Sequence, residues 1–161
     1  MSCGRLALRK SAQFSRFITA RFEKGNRRIS QPVVARIIDF ADGVSGDVQE
    51  LCEAMWETST DGAEISLDGM SAALDLIFSR ELGGYGAIYE RLTAGQSAVL
   101  RALAGNPSAR PYSIEFVSQV GMPTSSIPRI MSRLADSRII YFAGGRYRFS
   151  NPFFREWLLR R

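Results

Sequence analysis

The chain reads as a mainly α-helical protein in two parts: a helical, lid-like bundle over residues 1–83, then a winged helix-turn-helix with a small β-hairpin wing over residues 84–161. Three observations predict this. Apolar residues recur at three- and four-residue spacing through most of the chain. From residue 93 the pattern becomes helix, helix, turn, helix, and then two short aromatic runs around Gly144-Gly145. The chain closes on Asn151-Pro152-Phe153-Phe154-Arg155-Glu156-Trp157-Leu158, a last helix opened by a capping residue and a proline.

The N-terminal elements follow in order. Phe14, Phe17, Ile18 and Phe22 trace one face of a helix that stops near Gly25-Asn26. Pro32 opens a second helix holding Val33, Val34, Ile37, Ile38 and Phe40, and residues 42–47 form a turn. A third helix carries Val48, Leu51, Cys52, Met55 and Trp56, and Ser59-Thr60-Asp61-Gly62 closes it. A fourth runs from about Leu67 through Phe78 with Leu74, Leu76 and Ile77 inside, and Gly83-Gly84-Tyr85-Gly86 reads as a linker.

In the C-terminal part, Thr93 is placed to cap a helix with Val99, Leu100 and Leu103 on one face, ended by Gly105-Asn106-Pro107. Ser113 caps a short helix through Val120, with Glu115 in its first turn to meet the positive end of the dipole. Gly121 suits a tight turn that needs positive φ. The third helix begins near Thr124-Ser125-Ser126 with Pro128 in its first turn. Its Ile127, Ile130, Met131 and Leu134 face inward, which leaves Ser125, Ser126, Arg129, Ser132 and Arg133 outside, the position of a recognition helix. Gly144-Gly145 predicts a two-residue hairpin between Ile139–Phe142 and Tyr147–Phe149. Arg146 and Arg148 alternate with Tyr147 and Phe149, giving the wing one basic face and one face that packs inward.

Charge falls in blocks. Residues 1–30 carry eight basic and one acidic side chain, residues 31–92 three and twelve, and residues 93–161 ten and three. The acidic middle is thus flanked by two basic stretches, a pattern that suits a nucleic-acid module beside a protein-contact module, or acidic and basic parts pairing within the chain. Nineteen of the 21 basic residues are arginine, the residue of planar bidentate contact with phosphate and carboxylate. The absence of histidine removes Ser-His and Cys-His nucleophile pairs and most zinc sites. Two cysteines, Cys3 on a frayed end and Cys52, make no disulfide framework and point to a reduced, cytoplasmic setting. No apolar run approaches the roughly 20 residues of a membrane span, and no signal peptide is legible.

Several stretches resemble a known family. Phe17-Ile18-Thr19-Ala20-Arg21-Phe22, Gly25 and Ile29, then residues 47–56 ending in Trp56, are similar to the lid subdomain of archaeal-type AAA ATPases, STAND-like P-loop NTPases. Gly46, Gln49, Leu51 and Trp56 match that lid in kind, while Asp47 stands where proline is usual. Tyr89 to Leu103 resembles the family's entry into its winged helix, and Asn151 to Leu158 its closing signature. The phosphate-binding core is missing. Gly4 to Ser11 comes within one residue of Gly-x4-Gly-Lys-Ser, but Arg9 replaces the second glycine and no strand precedes it.

The resemblance implies the C-terminal part of such an ATPase, regulatory and binding in role and without catalysis of its own. It implies no cofactor in this chain, ATP and Mg belonging to the parent's core. The partners it implies are double-stranded DNA through the winged helix, or the ATPase core or another protein. The alternative is a free-standing winged-helix transcriptional regulator whose N-terminal helices dimerise or sense. For DNA, the residues singled out are Ser125, Ser126, Arg129, Ser132, Arg133, Arg146 and Arg148. Arg129 and Arg133 equally suit a solvated face or pairing with Asp136. An enzyme would need a histidine, phosphate loop or metal cluster that the sequence does not offer.

Overall fold

The computed structural model describes residues 3–106 and 110–161, with side chains from residue 12 onward apart from Leu82. It is mainly helical. The chain divides into two compact units, Met1–Arg80 and Glu81–Arg161, and the division falls inside a helix.

The first unit opens with α1 (Cys3–Lys24), followed by β1 (Arg28–Ile29), α2 (Gln31–Phe40), α3 (Ser45–Glu57) and β2 (Glu64–Ile65). α4 (Leu67–Glu90) begins here. Pro32 sits at the start of α2, where a missing N–H has no helical partner to lose. Its Val33, Val34, Ile37 and Phe40 are buried, and with Ile18, Phe22, Val48, Leu51, Met55, Leu74 and Ile77 they make up much of the core of this unit. The turn after α2 takes positive φ at Asp42 and Gly43. Gly4 to Ser11 lies on the helical backbone of α1, and its side chains, with that of Cys3, are outside the described residues.

Trp56 stands in the last turn of α3 and lies against Gly25. The Arg27 guanidinium stacks 3.8 Å over its ring, and Phe22 stands 5.8 Å away. Arg27 also donates to Gly25 O, Ser59 Oγ and Ser59 O, tying the end of α1 to the end of α3.

Two features of the first unit have no counterpart in the sequence pattern, and one expectation at its border needs correction. Phe17 is 53% exposed, because α1 and α3 leave an open apolar groove between Phe14, Phe17, Cys52 and Trp56. Arg28–Ile29 and Glu64–Ile65 pair as a short parallel ladder. The supposed linker Gly83-Gly84-Tyr85-Gly86 is helical, because α4 continues to Glu90. Each glycine costs a helix roughly 1 kcal/mol against alanine. Tyr85 outweighs that: it is buried, with its ring 5.7 Å from Phe154 and 6.0 Å from Trp157.

The second unit continues with α5 (Ala94–Gly105), α6 (Ile114–Val120), a single 3-10 turn at Thr124–Ser126, α7 (Ile127–Asp136), β3 (Ile140–Ala143), β4 (Arg146–Phe149) and α8 (Pro152–Arg160). Thr93 and Gln96 form a reciprocal capping box at α5. Asn106 caps its other end, and Pro107 lies outside the described residues. Ser113 accepts from Phe116 N, and its hydroxyl with the local backbone N–H lowers the Glu115 carboxyl below its usual range. α6, α7 and α8 all pack on α5. Arg155 clamps that packing by donating twice to Ala104 O, at 3.1 and 2.8 Å. Phe153 and Phe154 are buried, while Trp157 is half-buried among Tyr85, Tyr89 and Phe154.

Candidate nucleic-acid interface

Gly121 turns α6 into α7 at φ 69°, a left-handed position that glycine takes without a Cβ clash. α7 is then held from one side. Ile127, Met131 and Leu134 are fully buried and Ile130 half-buried. Gly95 lets α5 approach here: a Cβ on it would meet Met122 Cε at 3.0 Å and Ile130 Cδ1 at 3.1 Å. With that side locked, helical geometry sends Arg129, Ser132 and Arg133 outward, and all three are exposed. Ser125 is exposed in the preceding 3-10 turn, and Ser126 is half-buried. Among the described residues, neither the Arg129 nor the Arg133 side chain makes a hydrogen bond or ion pair, so Asp136 does not hold either of them.

β3 and β4 form the wing, with Ile140 opposite Phe149, Tyr141 opposite Arg148, Phe142 opposite Tyr147 and Ala143 opposite Arg146. Gly144 and Gly145 both have positive φ, as a two-residue hairpin turn requires. The register keeps Arg146 and Arg148 on one side and Tyr147 and Phe149 on the other. The expected contrast between a basic face and a packed face is nevertheless weak. All four residues of β4 are half-buried, and Arg146 and Arg148 both have interaction partners within the chain. Arg148 Nη2 lies 3.5 Å from where a Cβ on Gly144 would stand, so the guanidinium folds back over the turn. A two-stranded ladder is too narrow to cover a full face, and Phe142 is left 62% exposed, edge-on to Tyr147 at 5.0 Å. Burial, and then the neighbouring Tyr112, raise the Tyr147 phenol above its ordinary range.

Unit Glu81–Arg161 carries eleven arginines and five carboxylates, a net charge of +6, which draws anions toward the unit. The seven residues singled out in the sequence therefore separate. Ser125, Arg129, Ser132 and Arg133 share an open surface, while Ser126, Arg146 and Arg148 are half-buried.

One residue on this unit went unnoticed in the sequence. α7 ends at Asp136 with Ser137 as C-cap, and Arg138 follows at φ 56°. Arg138 N donates to Ala135 O at 2.9 Å and Ile139 N to Leu134 O at 3.1 Å, the double closure that glycine usually provides. Asn26 and Asp42 also have positive φ, but their short polar side chains tolerate it. Arg138 has no such compensation. The signal was an arginine where a helix end calls for glycine.

Among the described residues, no helix is long and apolar enough to cross a membrane, and no group of three or more Cys, Asp or Glu side chains is placed to hold a metal ion. No curated protein and no solved structure matches the chain. A family model described as "Probable winged helix domain" matches residues 83–160. With α5, α6 and α7 leading into the β3–β4 hairpin, residues 83–160 have the order of elements that a winged helix has.

Proposed function

We propose that the winged helix domain is a non-catalytic binding module that docks on double-stranded DNA through the exposed side of α7. One observation carries this: Arg129 and Arg133 stand unengaged one turn apart on a helix whose opposite side is locked into the core. A rigid helix presenting two guanidiniums suits bidentate contact with phosphate oxygens or guanine edges. Ser125 and Ser132 add hydroxyl donors on the same side. Arg146 and Arg148 contribute charge more than direct contact, because both are already engaged within the chain.

The test is fluorescence anisotropy of a labelled random-sequence duplex at several salt concentrations, with an Arg129→Ala/Arg133→Ala variant alongside. Binding should fall steeply with salt. The variant should lower the log–log slope by about two, roughly one for each phosphate it no longer neutralises. An unchanged slope, or no binding at low salt, overturns DNA docking by α7. Protein contact is the second reading, favoured by Phe142 at 62% exposure beside Tyr147.

The wider setting we propose is the C-terminal segment of an AAA or STAND-like ATPase, with residues 1–83 as the lid and ATP and Mg held by the parent's core. Support comes from the lid-like and closing motifs, and from Trp56 in the last turn of α3 against Gly25. The alternative is a free-standing transcriptional regulator. An upstream coding sequence that continues in frame into a phosphate-binding loop separates the two.

A further inference from the structure

Within the winged helix unit, a cleft of about 390 Å³ opens between the end of α4, the start of α5, the joint of α7 with β3, and the start of α8. Its floor is apolar, built from Tyr85, Leu92, Ile139 and Phe154, with Ile88 left 39% exposed at the edge. Its polar groups are all able to donate. Arg91 and Arg138 line it, and among the described residues neither guanidinium has a hydrogen-bond or ion-pair partner. Gln96 and Asn151 each commit their carbonyl oxygen to a helix cap, on Thr93 N and Phe154 N, which leaves their NH2 groups to donate. Ser137 and Ser150 add hydroxyls, and no carboxylate lines the cleft. Two guanidiniums without a counter-charge, over an apolar floor, describe the complement of an organic anion.

Arg138 strengthens this. It holds a left-handed position at φ 56° where glycine would close the helix more easily. Strain of that kind concentrates at sites where the side chain has a task.

We propose that this cleft binds a small organic anion, a phosphate or carboxylate carried on an apolar or aromatic body, with Arg91 and Arg138 on the acidic group and Ile88, Leu92 and Ile139 against the body. The site is separate from the outward side of α7, and it stands whether or not that side meets DNA.

Isothermal titration of the full chain with 1-naphthyl phosphate tests it, with 1-naphthoate, inorganic phosphate and 1-naphthol as parallel arms. Naphthyl phosphate or naphthoate should bind with one-to-one stoichiometry, and the stronger of the two identifies the acid. Inorganic phosphate and neutral naphthol should each bind at least about tenfold more weakly, since each lacks half of the recognition. Arg91→Ala and Arg138→Gly should each weaken the organic anion about tenfold, the effect of one charge-assisted contact. Arg138→Gly relieves the backbone, so its loss of binding cannot come from unfolding. Arg129→Ala/Arg133→Ala should leave the affinity unchanged, and methyl resonances of Ile88 and Ile139 should move on titration. The proposal is overturned if no arm binds at 1 mM, if naphthol binds as tightly as the anions, or if the Arg129/Arg133 variant abolishes binding while Arg138→Gly does not.

Discussion

Gly25→Ala should unfold the first unit at a much lower temperature, for a reason that lies entirely in space. Gly25 is not a position of positive φ, so alanine suits its backbone. On an open surface the change would stabilise by roughly 0.4–1 kcal/mol, through a less flexible unfolded chain. Here the new methyl would land inside the Trp56 indole, overlapping Cη2, Cζ2 and Cζ3. The ring must leave. Its departure gives up the pairing with Phe22, about 1 kcal/mol, and the stack under Arg27, about 0.5–1 kcal/mol. Roughly half of a tryptophan's buried area goes with it, about 2 kcal/mol at 25 cal/mol per Å². Relaxation recovers part, leaving a cost of about 3 kcal/mol. For a unit of this size that lowers Tm by roughly 12–24 °C. Trp56 fluorescence during heating, in a Trp157→Phe background, reads this unit alone. The cycle with Trp56→Ala is sharper: with the ring gone, Gly25→Ala should become neutral or slightly stabilising. A Gly25→Ala protein melting within about 2 °C of its parent, or one equally damaged without Trp56, would refute the reasoning.

Three further outcomes follow from the second unit and from the thiol. Arg138→Gly should raise stability by up to about 1 kcal/mol, whereas Gly121→Ala, at φ 69°, should lower it by about 1 kcal/mol, both read by thermal denaturation. Met131→Ala should cost about 2–5 kcal/mol in urea denaturation while Arg133→Ala stays within about 0.5 kcal/mol, because one side of α7 is core and the other solvent. Burial pushes the Cys52 thiol up to about 11 from 9.0, so at pH 8 it holds about a hundredfold less thiolate than an ordinary cysteine. Iodoacetamide labelling of a Cys3→Ser protein should be slow at pH 8 and speed up toward pH 11. Labelling at the rate of a free thiol at pH 8 would contradict the suppressed Cys52 thiolate.

The sequence was most legible where a local chemical need leaves few residue choices. Thr93 and Ser113 announce helix starts because only a short oxygen-bearing side chain reaches the orphan N–H groups. Gly121 and Gly144-Gly145 announce turns because other residues clash at positive φ. The two sides of α7 follow from spacing alone. Misreadings arose where a distant partner decides. The glycines at 83, 84 and 86 argue locally for a linker, and only the rings of Phe154 and Trp157, some seventy positions on, keep Tyr85 in a helix. The wing arginines alternate as expected, yet Arg148 turns back over its own hairpin, which period-two patterning does not foresee. Arg138 defies its local preference outright, and the cleft it lines assembles from three separate stretches of chain.

The pairing of β1 with β2 has a consequence for how the first unit can vary. It fastens position 28 to position 64, so α2 and α3 form an excursion of 36 positions hung between two adjacent points. Closing a loop costs free energy only as the logarithm of its length. Ten residues added at the exposed Asp42-Gly43-Val44 turn would raise that cost by about 0.2 kcal/mol. The same ten residues placed between Arg27 and Ile29 would break the ladder hydrogen bond from Arg28 N to Ala63 O and pull Arg27 off Trp56. Variation in length is therefore cheap at the tip of the excursion and costly at its knot, and a reporter peptide spliced at residue 43 would ride on the fold without entering it.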